Sequence, residues 1–197
     1  ILAVSATCSA DGFRAQSVCN DDYGGSAVGT ASRIWLHRIG APGATTRVYI
    51  LVDGYNTSAT GSYQLNVRWG DPASDGCATS IPLDITGGGT VLGTITNFTS
   101  FQAGSCGTVL APEAVMRFTG PTSGNVRLTT YSTDFTPDTY LRTACGSGEL
   151  ACVTATDIGG GVNRAEIRRS VTSGAIHYFF VDDGRTAGTY AVYYQPF

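Results

Sequence analysis

The sequence repeats itself, and this internal duplication constrains the fold more than any single motif does. Val48–Gly54 reads VYILVDG, and His177–Gly184 reads HYFFVDDG. Each run is followed by a polar loop and a similar return, Gly61–Leu65 (GSYQL) in one copy and Gly188–Val192 (GTYAV) in the other. Two copies of one pattern have the same apolar positions to bury, so the duplication predicts two related structural units.

The alignment of the two copies extends upstream through their cysteines. The stretch Cys8–Cys19 stands opposite Cys145–Cys152, and Ile1 falls opposite Tyr140. The segment Cys77–Thr139 has no counterpart in front of Ile1. We therefore interpret the first copy as only the C-terminal half of a unit.

This alignment divides the chain into three parts. Residues 1–70 are predicted to be the C-terminal half of a first unit, and residues 77–197 a complete second unit of ordinary domain size. Residues 71–76 lie between the end of one copy and the first cysteine of the next. Their proline, glycine and serine content predicts a linker.

The local pattern predicts strands throughout and no helix. Runs of β-branched and aromatic residues have strand length and end in turn residues. In Arg164–Arg169, Ala165 and Ile167 alternate with Glu166 and Arg168, as in a half-buried strand. Many short strands separated by glycine-rich turns are typical of a β-sandwich. The other predicted strands are Arg47–Asp53, Ser62–Trp69, Ala114–Phe118, Gly124–Thr130, Thr139–Arg142, Ile176–Val181 and Thr189–Tyr194.

The six cysteines are interpreted as three local disulfides. Cys8 with Cys19 and Cys145 with Cys152 occupy equivalent places in the two copies, which leaves Cys77 to pair with Cys106. Metal ligation is the alternative, but the chain has no CxxC motif and only two histidines. Because disulfides persist in oxidising compartments, the pattern predicts a secreted or cell-surface protein.

Composition excludes two classes of partner. The formal net charge is −3 and charged residues make up 14% of the chain, whereas nucleic-acid binding calls for a basic surface. No stretch approaches 18 consecutive apolar residues. We therefore expect neither a nucleic-acid partner nor a membrane-spanning helix.

The order of motifs in the second copy resembles the bacterial pre-peptidase C-terminal (PPC) domain. The motifs run from Cys77 and Cys106-Gly107 through Val115–Phe118 and Thr130–Leu141 to Glu149–Cys152, Tyr178–Asp182 and Gly188–Tyr190. The resemblance implies two tandem jelly-roll-like antiparallel β-sandwich units, all-β, the first lacking its N-terminal half. It also implies a non-catalytic module of a secreted or surface protein, used for binding, spacing or assembly.

One loop carries candidate metal ligands. Asn20, Asp21 and Asp22 supply oxygen atoms beside a cysteine, and domains similar to PPC domains sometimes bind calcium. Calcium takes six to eight oxygen ligands, so three side chains are only a start. The alternative is a solvated loop with side-chain-to-backbone hydrogen bonds. We therefore predict no cofactor, and calcium is the one candidate that stays open.

The charged residues that both copies share are interpreted as structural. Asp53 and Asp182 precede turns at strand ends, and Arg33 or Arg164 on a neighbouring strand could pair with them.

The two histidines do not support catalysis. His37 and His177 occupy non-equivalent positions, and no GxSxG, HExxH or Cys-His arrangement is present. We therefore predict that the chain is not an enzyme.

Aromatic residues bear on a binding role. Tyr49, Tyr63, Tyr178 and Tyr190 recur with the repeat and are expected at the edge of the core. The phenylalanines in loops are freer to contact a partner; these are Phe13, Phe98, Phe101 and Phe135.

Two functions follow from these observations. The first is a structural or assembly module of a surface protein or filament, with self-association or neighbouring domains of the same protein as its partners. The alternative is an accessory module that holds a secreted enzyme on an extracellular polymer such as polysaccharide or collagen.

The incomplete first copy predicts a missing partner. A half sandwich leaves strand edges and apolar side chains uncovered, and such edges promote aggregation. Three completions are open: an upstream segment of the same polypeptide, strands from a neighbouring subunit, or a smaller sandwich that closes on itself or on the second unit.

Overall fold

A computed structural model describes residues 2–5, 18–20, 32–37, 45, 47–53, 58, 61–65, 67, 82–95, 103–107, 113–182 and 188–197, with only the backbone for 2–5, 18–20, 35 and 37. The described residues form fourteen strands and no helix. The strands are β1 Leu2–Ser5, β2 Val18–Asn20, β3 Ile34–His37, β4 Tyr49–Val52, β5 Leu83–Asp84, β6 Gly89–Ile95, β7 Glu113–Thr119, β8 Asn125–Ser132, β9 Asp138–Ala144, β10 Ser147–Thr154, β11 Thr156–Asp157, β12 Asn163–Ser170, β13 Ile176–Asp182 and β14 Gly188–Pro196.

Two sheets pack face to face and make the β-sandwich predicted from the sequence. One sheet has the order β10-β9-β13-β7-β5, and the other has the order β11-β12-β8-β14-β6-β3. Most neighbours are antiparallel, but β3 runs parallel to β6 and β5 runs parallel to β7. The all-β sandwich is therefore confirmed, with two parallel pairs that the sequence did not predict.

Alternate residues of both sheets fill one core. Val126 and Leu128 on β8 point inward, as do Phe179 and Val181 on β13. Each such aliphatic or aromatic side chain contributes about 1.5–3 kcal/mol when it is fully buried. The core also includes Ile85, Val91, Ile95, Ala114, Met116, Phe118, Phe135, Leu141, Ile167, Val171, Tyr190, Val192 and Tyr194.

The missing side chain of Gly93 makes room for the first tyrosine of β14. Tyr190 pairs with Gly93 across β6 and β14, and a Cβ atom added to Gly93 would overlap the tyrosine ring. Tyr190 is consequently almost completely buried. A glycine inside a strand therefore serves close packing at this position.

Strands β1, β2 and β4 form a third sheet with the order β2-β1-β4. Its pairing matches that of β10-β9-β13: Ala3 pairs with Cys19 and Leu51, as Tyr140 pairs with Cys152 and Phe180. The two arrangements therefore share strand order and register. This register places Ala3 opposite Tyr140, so the sequence alignment that placed Ile1 there was wrong by two residues.

The first and second segments meet at strand β3. Ile34–His37 pairs with Thr90–Gly93, so a strand from residues 1–70 extends a sheet of residues 77–197. The Arg33 carbonyl oxygen also accepts a hydrogen bond from Thr90 N at 3.1 Å. The division into two units stays a prediction, and the linker 71–76 lies outside the described residues.

The strand predicted for Ser62–Trp69 is wrong over the part that the structure describes. Residues 61–65 and 67 belong to no strand, whereas the equivalent Gly188–Tyr194 lies within β14. The described part of the chain also contains no helix long and apolar enough to cross a membrane.

Candidate functional site

The cysteine pairing differs from the predicted one. Cys106 and Cys152 form a disulfide with their Cα atoms 5.5 Å apart. Because a cysteine forms one disulfide, both predicted bonds, Cys77–Cys106 and Cys145–Cys152, are wrong. The reason is spatial: Cys152 lies on β10 facing the 103–107 loop, and its Sγ atom also accepts a hydrogen bond from Cys106 N at 3.0 Å.

The remaining cysteines are only partly described. Cys145 is also disulfide-bonded. Its partner is one of Cys8, Cys19 and Cys77, since Cys106 and Cys152 are paired with each other. The predicted Cys8–Cys19 bond lies outside the described side chains.

The 103–107 loop is held down by charged residues as well as by the disulfide. Arg142 donates to the Ala103 carbonyl oxygen at 2.6 Å, and Ser105 N donates to Glu149 at 3.0 Å. The Arg142 guanidinium stands 4.8 Å from the centre of the Tyr140 ring, which stacks on Phe180. This loop therefore closes a second, smaller core on the outer side of the five-stranded sheet.

A buried carboxyl group lies beneath that loop. The Tyr140 hydroxyl donates to Glu113 Oε2 at 2.6 Å, and Glu113 pairs across the strands with Asp182. Burial raises the pKa of Glu113 to about 7, and the charge of Asp182 raises it further, against the hydrogen bond from Tyr140 and the charge of Arg142. Burial and the neighbouring Glu113 also raise the pKa of Tyr140. The pair is enclosed, which fits a structural role better than contact with a substrate.

The pairing suggested for the shared Asp and Arg residues is not found in the second copy. Arg164 lies on β12 and forms an ion pair with Glu166, whereas Asp182 lies on β13 in the other sheet. In the first copy, Arg33 donates to the Thr86 carbonyl oxygen at 3.2 Å. The Arg33 contact joins the residue before β3 to the turn after β5, whereas the Arg164 contact lies within β12. The structural interpretation of both arginines stays a prediction.

Most of the loop proposed to bind calcium lies outside the described residues. Asn20 ends β2, but its side chain is not described, and Asp21 and Asp22 lie outside the described residues. Within the ranges that are described, no group of three or more His, Cys, Asp and Glu side chains is arranged to hold a metal ion. Calcium binding therefore stays an untested expectation.

His177 belongs to the core. It is buried, its ring stacks on Phe118 with centroids 5.5 Å apart, and its Nε2 atom lies 3.3 Å from the Thr172 carbonyl oxygen. The backbone of His37 lies in β3, and its side chain is not described. The packing of His177 makes it a structural residue.

The outer face of the six-stranded sheet carries a shallow groove of about 290 Å³. Tyr131 and Tyr193 meet edge to face with ring centroids 5.5 Å apart. Arg127 pairs with Gln195 across β8 and β14, and its Nη1 atom lies 3.5 Å from the glutamine Oε1. The groove, completed by Thr129, thus combines aromatic surface with hydrogen-bond donors.

An ion-paired row on β12 borders this groove. Glu166 accepts from Arg168 at 2.5 Å and also pairs with Arg164. Burial raises the pKa of Glu166, but the Arg168 hydrogen bond and the charges of Arg164 and Arg168 outweigh burial and hold it below its usual value. The carboxylate therefore stays ionised, and the row carries one excess positive charge.

The aromatic residues expected to contact a partner differ in outcome, and three of them lie outside the described residues: Phe13, Phe98 and Phe101. Phe135 lies in the loop between β8 and β9 as expected, but it is buried in the main core, and Tyr63, expected at the core edge, is 71% exposed. Tyr131 and Tyr193 were missed. The signal was present, since each alternates with inward-facing neighbours, but only the pairing of β8 with β14 brings them together.

Apolar residues of the first copy are exposed where their equivalents are buried. Ile50, Leu65 and Val67 are 39%, 43% and 51% exposed. In the second copy the equivalent residues are Phe179, Val192 and Tyr194, at most 3% exposed. Together with Tyr63, whose equivalent Tyr190 is buried, these residues are named the uncovered apolar residues: Ile50, Tyr63, Leu65 and Val67.

No protein-family model matches the sequence, and no curated protein matches it. Several solved structures do match. One is the crystal structure, at 1.0 Å, of the pre-peptidase C-terminal domain of the collagenase from Bacillus anthracis. It is 14% identical, covers 58% of this chain and 94% of that chain, and has a TM-score of 0.38. A PPC domain is thus among the structures similar to this chain, and the tandem arrangement is not shown by it.

Proposed function

We propose that the chain is a non-catalytic structural module of an extracellular protein, which assembles with polypeptide from a neighbouring domain or subunit. The observation that carries this proposal is the exposure of the uncovered apolar residues. Four large side chains are exposed to solvent in the first copy, while their equivalents are buried in the core of the second copy. Exposed apolar surface of this kind marks sites of protein association.

The pairing of β3 with β6 supports the same proposal. Strands from the two copies share a sheet, so the copies are built to associate through backbone hydrogen bonds. The Cys106–Cys152 disulfide supports an oxidising, extracellular location.

The experiment is a measurement of particle mass for the full chain. We expect concentration-dependent association by light scattering, and a return to the monomer mass in the double variant Leu65→Asp/Val67→Asp. The matched control is Ile158→Asp, because Ile158 is an apolar residue of the second copy that is at least as exposed as Leu65 and Val67. A folded chain that stays a monodisperse monomer at every concentration would contradict the proposal.

The non-catalytic part of the proposal is supported by the burial of the two titratable groups that could act as an acid or base in the interior, Glu113 and His177. Neither is open to a substrate, and the ionised Glu166 is held in ion pairs with Arg164 and Arg168. We expect the purified chain to cleave neither peptides nor glycans. Cleavage that disappeared in the His177→Gln variant, with folding retained, would refute this expectation.

A second candidate function is polymer binding at the outer groove. Tyrosine rings offer an apolar face with a polar tip, while Arg127 and Gln195 can donate hydrogen bonds. This combination suits a polysaccharide or an extended polypeptide such as collagen.

Retention on insoluble polymer tests the second candidate. We expect the double variant Tyr131→Ala/Tyr193→Ala to lose at least tenfold in retention on polysaccharide or collagen. Tyr178→Ala is the control, because Tyr178 lies on the other sheet. Equal retention of all three proteins would exclude the groove as the binding site.

A further inference from the structure

The complete second copy shows which strands cover the equivalents of the uncovered apolar residues. Strand β13 lies between β9 and β7, and β14 lies between β8 and β6. Strands β7 and β8 follow one another along the chain, but β7 belongs to one sheet and β8 to the other. One continuous segment, Glu113–Ser132, therefore flanks both strands.

The inward side chains of that segment cover the apolar residues of β13 and β14. Ala114, Met116 and Phe118 on β7 pack in the main core with Val126 and Leu128 on β8. Phe118, for example, meets the ring of Tyr194 with centroids 4.7 Å apart. Removing such a segment would expose the apolar faces of β13 and β14 together.

The first copy contains the equivalents of β13 and β14, but none of its described residues corresponds to this flanking segment. Among the described strands β4, the equivalent of β13, pairs with β1 alone. Residues 61–65 and 67, the equivalents of β14, lie in no strand. The β7–β8 segment of the chain itself is already committed to the second copy, through its pairing with β13 and β14.

We propose that the first copy binds a two-strand segment built like Glu113–Ser132, from a polypeptide other than residues 1–197 of the same molecule. This inference rests on the proposed function and names its partner. The first strand of the partner adds antiparallel to the edge of β4 away from β1, which no described strand occupies, as β7 does to β13. Its second strand pairs with residues 61–67 and converts them into a β-strand like β14.

The sequence of the partner segment follows from the equivalence. It carries alternate apolar residues in two runs of about seven or eight, joined by a short glycine-containing turn, as in EAVMRFT-GPTSG-NVRLTTYS. Its inward residues cover Ile50, Tyr63, Leu65 and Val67. A segment without that alternation would leave them in water.

A synthetic peptide with the sequence of residues 113–132 serves as the probe. We expect saturable binding of the labelled peptide to the full chain by fluorescence anisotropy. Binding should weaken at least tenfold in Ile50→Asp and in Leu65→Asp, and change less than twofold in Ile158→Asp. Each replaced residue is exposed, so folding should survive, and circular dichroism checks it.

A second experiment changes the peptide and keeps the chain unmodified, so its result does not depend on whether a chain variant folds. A peptide carrying Met116→Asp and Leu128→Asp should fail to bind the unmodified chain. The unmodified peptide should also reverse the association of the full chain, bringing its mass to that of one chain with one peptide. Induced strand formation would appear as added protection of amides 61–65 from hydrogen exchange.

Three results would overturn the inference. They are no binding, binding that ignores Ile50→Asp and Leu65→Asp, and a discrete dimer that the peptide does not dissociate. The second would mean that the peptide exchanges into the second copy. The third would mean that a different surface of another copy of the chain, and not a two-strand segment, covers the residues, which contradicts this inference while the assembly function stands.

Discussion

At the scale of single residues, the packed interior assigns roles that residue type alone leaves open. Glu113 and Glu166 are both glutamates on strands, yet they carry opposite pKa shifts. Burial raises the pKa of Glu113, whereas the arginines beside Glu166 hold its pKa down. Each shift links protonation to folding, so each has a consequence for stability.

Glu113 should make the protein less stable as pH rises from about 4.5 to about 7. Its folded pKa is about 7 against an ordinary value of 4.5, so the folded state holds a proton that unfolding releases. The free energy of unfolding therefore falls across this window, by roughly 2–3 kcal/mol, and levels off above it. Urea unfolding at several pH values between 4.5 and 8 gives the free energy of unfolding as a function of pH. This free energy should fall less steeply with pH in Glu113→Gln than in the unmodified chain.

Asp134→Asn provides the control for that measurement. Hydrogen bonds from the Thr189 hydroxyl and backbone N lower the pKa of Asp134, which places its titration below the window. Its slope between pH 4.5 and 7 should match that of the unmodified chain. Identical slopes for Glu113→Gln and the unmodified chain would show that Glu113 does not titrate there.

Gly93→Ala should destabilise the second copy. The added methyl group would overlap the Tyr190 ring, which has no room to move within the core. Overpacking of this kind costs about 1–3 kcal/mol. Gly61→Ala is the matched control, because nothing lies within 4 Å of a Cβ atom at that position. Thermal unfolding should separate the two variants.

At the scale of elements, strand pairing and cysteine pairing are separate problems. Strands β9 and β10 are adjacent and Cys145 lies in the turn between them, yet Cys152 on β10 bonds to Cys106 across a separation of 46 residues. With Cys8 and Cys19 predicted to pair, Cys77 is left as the partner of Cys145. We therefore expect the bonds Cys77–Cys145 and Cys106–Cys152 in the second copy.

Tryptic mapping without reduction distinguishes this pairing from the local pairing of Cys77 with Cys106 and Cys145 with Cys152. The chain contains no lysine, so trypsin cleaves only after arginine. Cleavage after arginine places Cys77 and Cys106 in peptide 69–117, and Cys145 and Cys152 in peptide 143–164. The expected bonds join these two peptides into one species. Two separate peptides, each with an internal bond, would contradict both the expectation and the structure.

At the scale of the whole molecule, the two copies share the strand order and register of one sheet but differ in burial. The second copy encloses its apolar residues in a two-sheet core, while the first presents a three-stranded sheet and contributes β3 to its neighbour. Backbone amides are protected where they are both hydrogen-bonded and buried. The copies should therefore differ in local stability although their sequences follow the same pattern.

Hydrogen exchange should reveal that difference. Amides of residues 61–65 should exchange at least a hundredfold faster than those of the equivalent residues 188–192, which lie between β6 and β8. Mass spectrometry of peptides covering the two stretches makes the comparison within one sample. Similar protection in both stretches, without an added partner, would show that the first copy is already covered.

The sequence by itself determined six strands of the second copy, namely β7, β8, β9, β12, β13 and β14, but it left β5, β6, β10 and β11 unpredicted. In Arg164–Arg169 the alternation placed Ala165 and Ile167 inward, and both are buried. Strand periodicity is local, because neighbouring residues of a strand point to opposite faces whatever the strand pairs with. The same locality made the internal duplication visible without a structure.

Only the tertiary structure decided which elements meet. The disulfide partner of Cys152, the tyrosine pair of the outer groove and the parallel addition of β3 to β6 all depend on contacts between residues distant in sequence. Tyr63 shows the limit most directly: its pattern equals that of Tyr190, yet it is exposed. Periodicity fixes which face a residue occupies, but burial requires a second surface to cover that face.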